Sequence, residues 1–241
     1  MPPTCSITAT ARIADDERER MFALHRRYFC NSRRDVFGRD MSEKDWVILL
    51  REGVEIVGFS TLQVIPLRAL GEDRVFLFSG DTIVDREHWR DSQLAGGFGH
   101  FMLRLMRDFP GRPLHWFLIS KGYRTYRFLP VFFNRFYPDH AGAAGPEDAE
   151  LLRAIATHKF GNAFDAGRGL VRLNGRGDRL NPQMCAIPPG RRLDPHVRFF
   201  LERNPGYAGG DELACIAEIS RPNLNRRAWR VIERARVAWE E

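Results

Sequence analysis

The chain is short of lysine. Of its 37 basic side chains only Lys44, Lys121 and Lys159 are lysines, and the others are arginines spread along the chain without one dense run. That bias fits either arginine-rich codon usage or a surface that meets anions. Cysteine is also scarce. Cys5, Cys30, Cys185 and Cys215 form no CxxC pair, which argues against a zinc site and against a disulfide-stapled fold; four reduced thiols are expected. No apolar run approaches the ~20 residues of a membrane helix. The opening residues lack a basic stretch followed by an apolar one, so a cytoplasmic protein without a membrane span is expected. There is no HExxH, no Walker loop, no GxGxxG and no GxSxG, and the seven histidines show no ligand spacing. No metal is expected.

What is present is a core. Of 241 residues, 44% are hydrophobic and 12% aromatic, which excludes a disordered, collagen-like or coiled-coil chain. Residues 6–13 alternate as a half-buried strand. A helix follows from Asp15 to about Phe29, then an Arg-rich loop over residues 31–45. Apolar runs from Trp46 and from Val54, around a Glu-Gly turn, read as an antiparallel hairpin. Residues 74–84 read as another strand, whose interior Gly80 marks a bulge or a close approach. A helix from about Leu94 to Phe109, a buried strand from Leu114 and a helical stretch over 123–136, broken by Pro130, complete residues 5–138. Beyond a Gly/Ala/Pro linker come a helix (147–160), a long loop (161–192), a short helix (195–203), a strand (211–219) and a basic helix from Pro222. We therefore expect two parts, residues 1–140 as a core and 141–241 as an extension packed on it that serves substrate or partner.

The informative segment joins the strand RVFLFSGDTIV (74–84) through a polar turn to WRDSQLA (89–95) and a helix rich in small residues. Amides in a helix's first turn lack intrahelical partners, and the macrodipole adds positive charge there. Small residues let a diphosphate approach, and Arg90 adds a charge-assisted contact. An ordinary strand–loop–helix packed through small residues is the other reading of the same pattern.

The segment resembles the cofactor-binding signature of the GNAT-type N-acyltransferase superfamily, whose core is R/Q-x-x-G-x-G/A. Arg90 takes the first position and Ala95 the last, while Gln93 stands where the first Gly is usual. The order strand–helix–three strands–helix–strand–helix is also similar. The resemblance implies an α+β (α/β/α) fold: a mixed, mostly antiparallel sheet flanked by helices, here with a C-terminal helix–strand–helix extension. It implies an acyl thioester, acyl-CoA, lying between splayed strands, and an amine acceptor attacking it directly in a ternary complex. Cofactor contacts are then expected from Thr82, Ile83, Val84, Arg90, Ser92, Gln93, Leu94 and Ala95. Asp81 is the implied base, with Asp85 and Glu87 next, and Tyr126 the implied acid for the leaving thiolate. The C-terminal arrangement is loosely similar to enzymes of the homoserine-lactone synthase and ornithine-lipid acyltransferase group, which makes the phosphopantetheine of an acyl carrier protein the alternative donor. Phe128, Phe132, Phe133, Phe136, Phe199 and Phe200 then line an acyl tunnel, or else are core. Residues 221–236 carry six Arg against one Glu, which suits an acidic carrier protein or a solvated face. A non-catalytic binding module with a basic surface is a further alternative. Nucleic acid is not expected as a partner, and a homo-oligomer is left open.

Overall fold

The computed structural model describes residues 3–172 and 177–240. The first half contains β1 (Thr4–Ala9), α1 (Asp15–Tyr28), β2 (Phe29–Cys30), α2 (Arg34–Ser42), β3 (Trp46–Glu52), β4 (Glu55–Ala69), β5 (Glu72–Val84), α3 (Gln93–Asp108), β6 (Leu114–Ser120), α4 (Tyr123–Tyr126) and α5 (Phe128–Phe132). The second contains α6 (Pro146–Phe160), β7 (Phe164–Asp165), β8 (Leu170–Val171), β9 (Arg179–Leu180), α7 (Pro182–Cys185), α8 (Pro195–Arg203), β10 (Glu212–Glu218), α9 (Arg226–Arg234) and β11 (Val237–Glu240).

Among the described residues, nine strands form one sheet in the order β11-β1-β3-β4-β5-β6-β10-β8-β7, while β2 and β9 pair separately. The pairs β1–β11 and β5–β6 are parallel and the rest antiparallel. This is the α+β, mostly antiparallel architecture expected. The segment after residue 140 is built into the sheet rather than laid upon it, because β10 pairs with β6 and β11 with β1.

Both faces of the sheet are covered, so its central strands carry apolar runs instead of alternating with polar residues. Val47, Ile48, Leu49 and Leu50 of β3 are all buried. Ile48 and Leu50 pack with Phe101, Met102 and Leu105 of α3 and Ile232 of α9 on one side. Val47 and Leu49 pack with Met21 and Leu24 of α1 and Phe37 and Met41 of α2 on the other. Under α6, Leu151, Leu152 and Ile155 cover Phe76, Phe78 and Phe117.

Several boundaries differ from the sequence reading. β1 stops at Ala9 because the chain turns into a short 3-10 segment at Thr10–Arg12. The stretch read as an Arg-rich loop contains α2, held by Phe37 and Met41, one turn apart and buried. The stretch 123–136 divides into α4 and α5, and 161–192 holds short elements where one long loop was expected. The edge strand β11 had no counterpart in the sequence reading.

Small residues on α3 let neighbours approach. A Cβ on Gly97 would lie 2.7 Å from Cys5 Sγ and 2.9 Å from Ile48 Cγ2, and one on Gly99 would overlap Ile232 of α9. We expect Gly99→Leu to lift α9 from α3 at roughly 1–3 kcal/mol. A lowered urea midpoint checks it, and an unchanged midpoint would show that this contact contributes nothing.

Candidate active site

The site begins where two parallel strands part. β5 and β6 are paired from Val75–Leu114 to Ser79–Leu118 and no further. Beyond Ser79, β5 follows β4 to Val84, while β6 follows β10 to Ser120. The cause is local. Between the pairs Ser60–Thr82 and Leu62–Ser79, β5 carries one residue more than β4, which is the signature of a β-bulge. The bulge falls at Gly80–Asp81. Gly80 has no room for a side chain, since a Cβ there would sit 2.6 Å from Thr61 Oγ1 and 2.8 Å from Lys44 Cε. The interior glycine thus marks both a bulge and a close approach.

Three hollows meet at this parting, and Thr82 of β5 and Thr125 of α4 line all three. The first, of about 440 Å³, runs from Thr82, Ile83 and Val84 past Leu94 and Ala95 at the mouth of α3. The second, of about 410 Å³, opens on the other side and is lined by His25, Asp81, Lys121, Asp178 and Glu212. The third is an apolar recess among Phe98, Met102 and Trp116, Phe128 and Phe132 of α5, and Val231 and Ile232 of α9.

Of the residues expected to hold a thioester cofactor, Thr82, Ile83, Val84, Leu94 and Ala95 line the first hollow. Arg90 and Ser92 are exposed and do not line it. Gln93 turns away: its Oε1 accepts a hydrogen bond from the Arg236 amide at 3.1 Å, while its own amide donates to Asp91 Oδ1 at 2.6 Å. The Asp91 carboxylate therefore caps part of the helix mouth and leaves the amides of Leu94 and Ala95 in the first turn. Positive charge comes from residues the sequence reading missed. Arg124, Arg127 and Arg191 line this hollow, with the Arg124 guanidinium 4.8 Å from the centre of the Trp89 ring. The signal was the spacing of three between Arg124 and Arg127, next to Lys121.

Tyr126 does not fit the acid role. It is fully buried, its hydroxyl donates to the Pro138 carbonyl at 2.9 Å, and burial holds its pKa above the usual tyrosine range. It lines none of the three hollows; its neighbour Thr125 does. Asp85 is engaged by Arg27 and by the Tyr28 hydroxyl, and Glu87 is exposed. Phe128, Phe132 and Phe133 line the apolar recess, whereas Phe136, Phe199 and Phe200 pack around Tyr126.

Asp81 lies in the second hollow within a charged cluster. His25 Nε2 is 3.0 Å from Asp178 Oδ2 and 3.7 Å from Asp81 Oδ1, and its Nδ1 is 2.9 Å from Ser32 Oγ. Lys121 Nζ bonds Asp178 and lies 3.3 Å from Glu212 Oε1. Burial disfavours charge on His25, but the hydrogen bond to Asp178 and the nearby Asp81 carboxylate outweigh it and raise the imidazole to about 9. Burial pushes Asp81 and Asp178 up, and the charge of the neighbouring His25, which also hydrogen-bonds Asp178, brings both below the usual range. Asp81 is thus a carboxylate held ionised by a cation, a poor proton acceptor near neutrality. Lys121 is held above its ordinary value because three carboxylates outweigh its burial. Burial raises Glu212 to about 7, against the pull of Lys121.

No model of a known protein family matches the chain, and no match was found among the curated proteins. Solved structures give distant likenesses. A CoA-dependent acyl-homoserine lactone synthase, BjaI, is 13% identical over 99% of this chain and 93% of its own, with a TM-score of 0.46. The GNAT family N-acetyltransferase YhbS of Escherichia coli, solved with CoA, is 17% identical over 55% of this chain and 69% of its own, with a TM-score of 0.38. A probable N-acyltransferase of Enterococcus faecalis is 12% identical over 55% of this chain, at a TM-score of 0.41, and the chain spans 33% of its length.

Proposed function

We propose that the chain is an N-acyltransferase that moves an acyl group from acyl-CoA to an amine by direct attack in a ternary complex. The observation that carries this is the meeting of three hollows at Thr82 and Thr125, where β5 and β6 part. One hollow suits a phosphorylated arm, one a charged acceptor and one an apolar chain.

The residues present fit a thioester. Past Ser79, the edge of β5 that faced β6 has no ladder partner among the described residues; Trp89 Nε1 donates to the Val84 carbonyl at 2.8 Å, and the remaining peptide groups of that edge suit a pantetheine arm. An amide aimed at the thioester carbonyl acts as an oxyanion donor, and losing one such donor costs ~3 kcal/mol. Leu94 and Ala95 amides with Arg124, Arg127 and Arg191 favour the diphosphate. Holding amine and thioester in line supplies much of the rate. Asp178, Arg191 and Glu212, which line these hollows, all come from beyond residue 140, and this supports a substrate role for that part of the chain.

An acyl carrier protein is the second donor to consider. Arg226, Arg227, Arg230 and Arg234 on α9 are exposed, and the same helix lines the apolar recess through Ala228, Val231 and Ile232. A basic face over an acyl recess suits an acidic carrier.

The test is direct. CoA, acetyl-CoA and hexanoyl-CoA are each expected to raise the melting temperature, and thiol release from an acyl-CoA is expected to accelerate with a panel of amines. Turnover from acyl carrier protein alone would move the donor to the carrier. Neither ligand-dependent stabilisation nor thiol release, with either donor, would leave a non-catalytic binding module.

A further inference from the structure

Glu212 opens β10 and is buried in the wall of the second hollow. Among the described residues, the charged groups packed around it can be named. From α1 comes His25, from β5 Asp81, from the end of β6 Lys121, and from the segment before β9 Asp178. Across the hollow, Lys44 pairs with Asp40 at 2.6 Å and Lys159 with Glu43 at 2.8 Å, while Arg33 pairs with Asp35 at 2.8 Å. The adjoining Asp211 is taken by Arg172 at 3.3 Å. Among the described residues, the inner cluster therefore holds two cations, His25 and Lys121, against three carboxylates. His25 sits between Asp81 and Asp178, and Lys121 is shared between Asp178 and Glu212. Glu212 is the carboxylate left over.

We infer that Glu212 is the catalytic base of the acceptor site, taking the proton that an incoming ammonium must lose before it attacks the thioester. This rests on the acyl-transfer reading above. An alkylammonium entering the hollow supplies the third cation and pairs with ionised Glu212. The proton passes from nitrogen to the carboxylate, giving a neutral amine and a protonated glutamic acid. The amine lone pair forms the C–N bond at the thioester carbonyl. The tetrahedral adduct loses its second N–H proton, the C–S bond breaks, and the thiolate leaves with that proton as CoA thiol. Glu212 returns its own proton to solvent, so amide, thiol and one released proton balance ammonium and thioester. The carboxylate's raised value near neutrality suits this work, since a base acts best when its pKa lies near the working pH.

Two measurements test it together. In protein labelled with 13C at the glutamate carboxyl, one signal should titrate near pH 7 and vanish in Glu212→Gln. In acyl transfer from acetyl-CoA and hexanoyl-CoA to the twenty standard amino acids and simple alkylamines, kcat/KM should rise with pH along that same titration. Glu212→Gln should lose roughly 100-fold or more and the rising limb with it, while Glu212→Asp keeps a limb at reduced rate. Transfer by Glu212→Gln within threefold of the parent with the limb intact, or no glutamate titrating between about pH 6 and 8, overturns this role alone. A parent protein that releases no thiol with any of these pairs overturns the acyl-transfer reading and this role with it.

Discussion

Lys121→Met is expected to be the most damaging single substitution to the fold at this site. Lys121 is almost wholly buried, bonds Asp178 and lies 3.3 Å from Glu212. Removing the ammonium leaves three carboxylates, Asp81, Asp178 and Glu212, against His25 alone. Breaking a buried ionic arrangement from one side costs about 3–5 kcal/mol, a large share of the 5–15 kcal/mol that typically separates folded from unfolded chains. Urea denaturation at pH 7 measures it. Glu212→Gln on top of Lys121→Met should recover part of the loss, because it removes the surplus carboxylate; equal losses in single and double variants would show that the charge count is wrong. The pH dependence has a definite sign. His25 is raised to about 9 in the folded state, so its pairing stabilises fully below its ordinary value of 6.5 and is lost as pH rises through about 9. Glu212, also raised, destabilises once ionised: its contribution is present below 4.5 and lost as pH rises through about 7. Melting temperature should therefore fall between pH 7 and pH 9.5, and His25→Gln should flatten the upper part of that fall.

Ala95→Trp should have the largest effect on function with little effect on folding. Ala95 stands in the first turn of α3 and lines both the first hollow and the apolar recess. An indole there fills space that the thioester arm needs, without displacing a core side chain. A ligand at 100 times its dissociation constant stabilises a protein by about 2.7 kcal/mol. The variant should lose that increment with CoA while melting, in the absence of CoA, within a few degrees of the parent. Acyl transfer should drop by roughly 100-fold or more, since even a 1 Å misplacement of reacting groups costs that much. Undiminished CoA stabilisation in Ala95→Trp would move the donor site away from the parted strands.

The parts legible in sequence were those with local patterns. The strands from Trp46 to Val84, the helix after Trp89 and the strand from Leu114 announce themselves by apolar periodicity, and Gly80 marked its bulge. The parting of β5 from β6 begins at that glycine. The charged cluster was not legible. His25, Asp81, Lys121, Asp178 and Glu212 lie on five separate segments, and no spacing rule connects them. Asp178 sits in a Gly/Arg-rich stretch with no periodicity at all. Tyr126 misled because a tyrosine on an aromatic helix looks the same whether its hydroxyl faces a cavity or the Pro138 carbonyl. β11 was missed because four residues with two exposed give an edge strand no alternation strong enough to read.

The outer neighbour of the first strand is the last one: residues 5–8 of β1 pair in parallel with residues 237–240 of β11. β6 likewise gains its second partner only from residues 213–218. During synthesis on the ribosome, both borders of the early β1–β3–β4–β5–β6 assembly thus stay unpaired until residues 213–240 have emerged. Fragments cut near residue 140 would expose two open ladders and tend to self-associate, so the protein is best dissected by point substitution in the 241-residue chain.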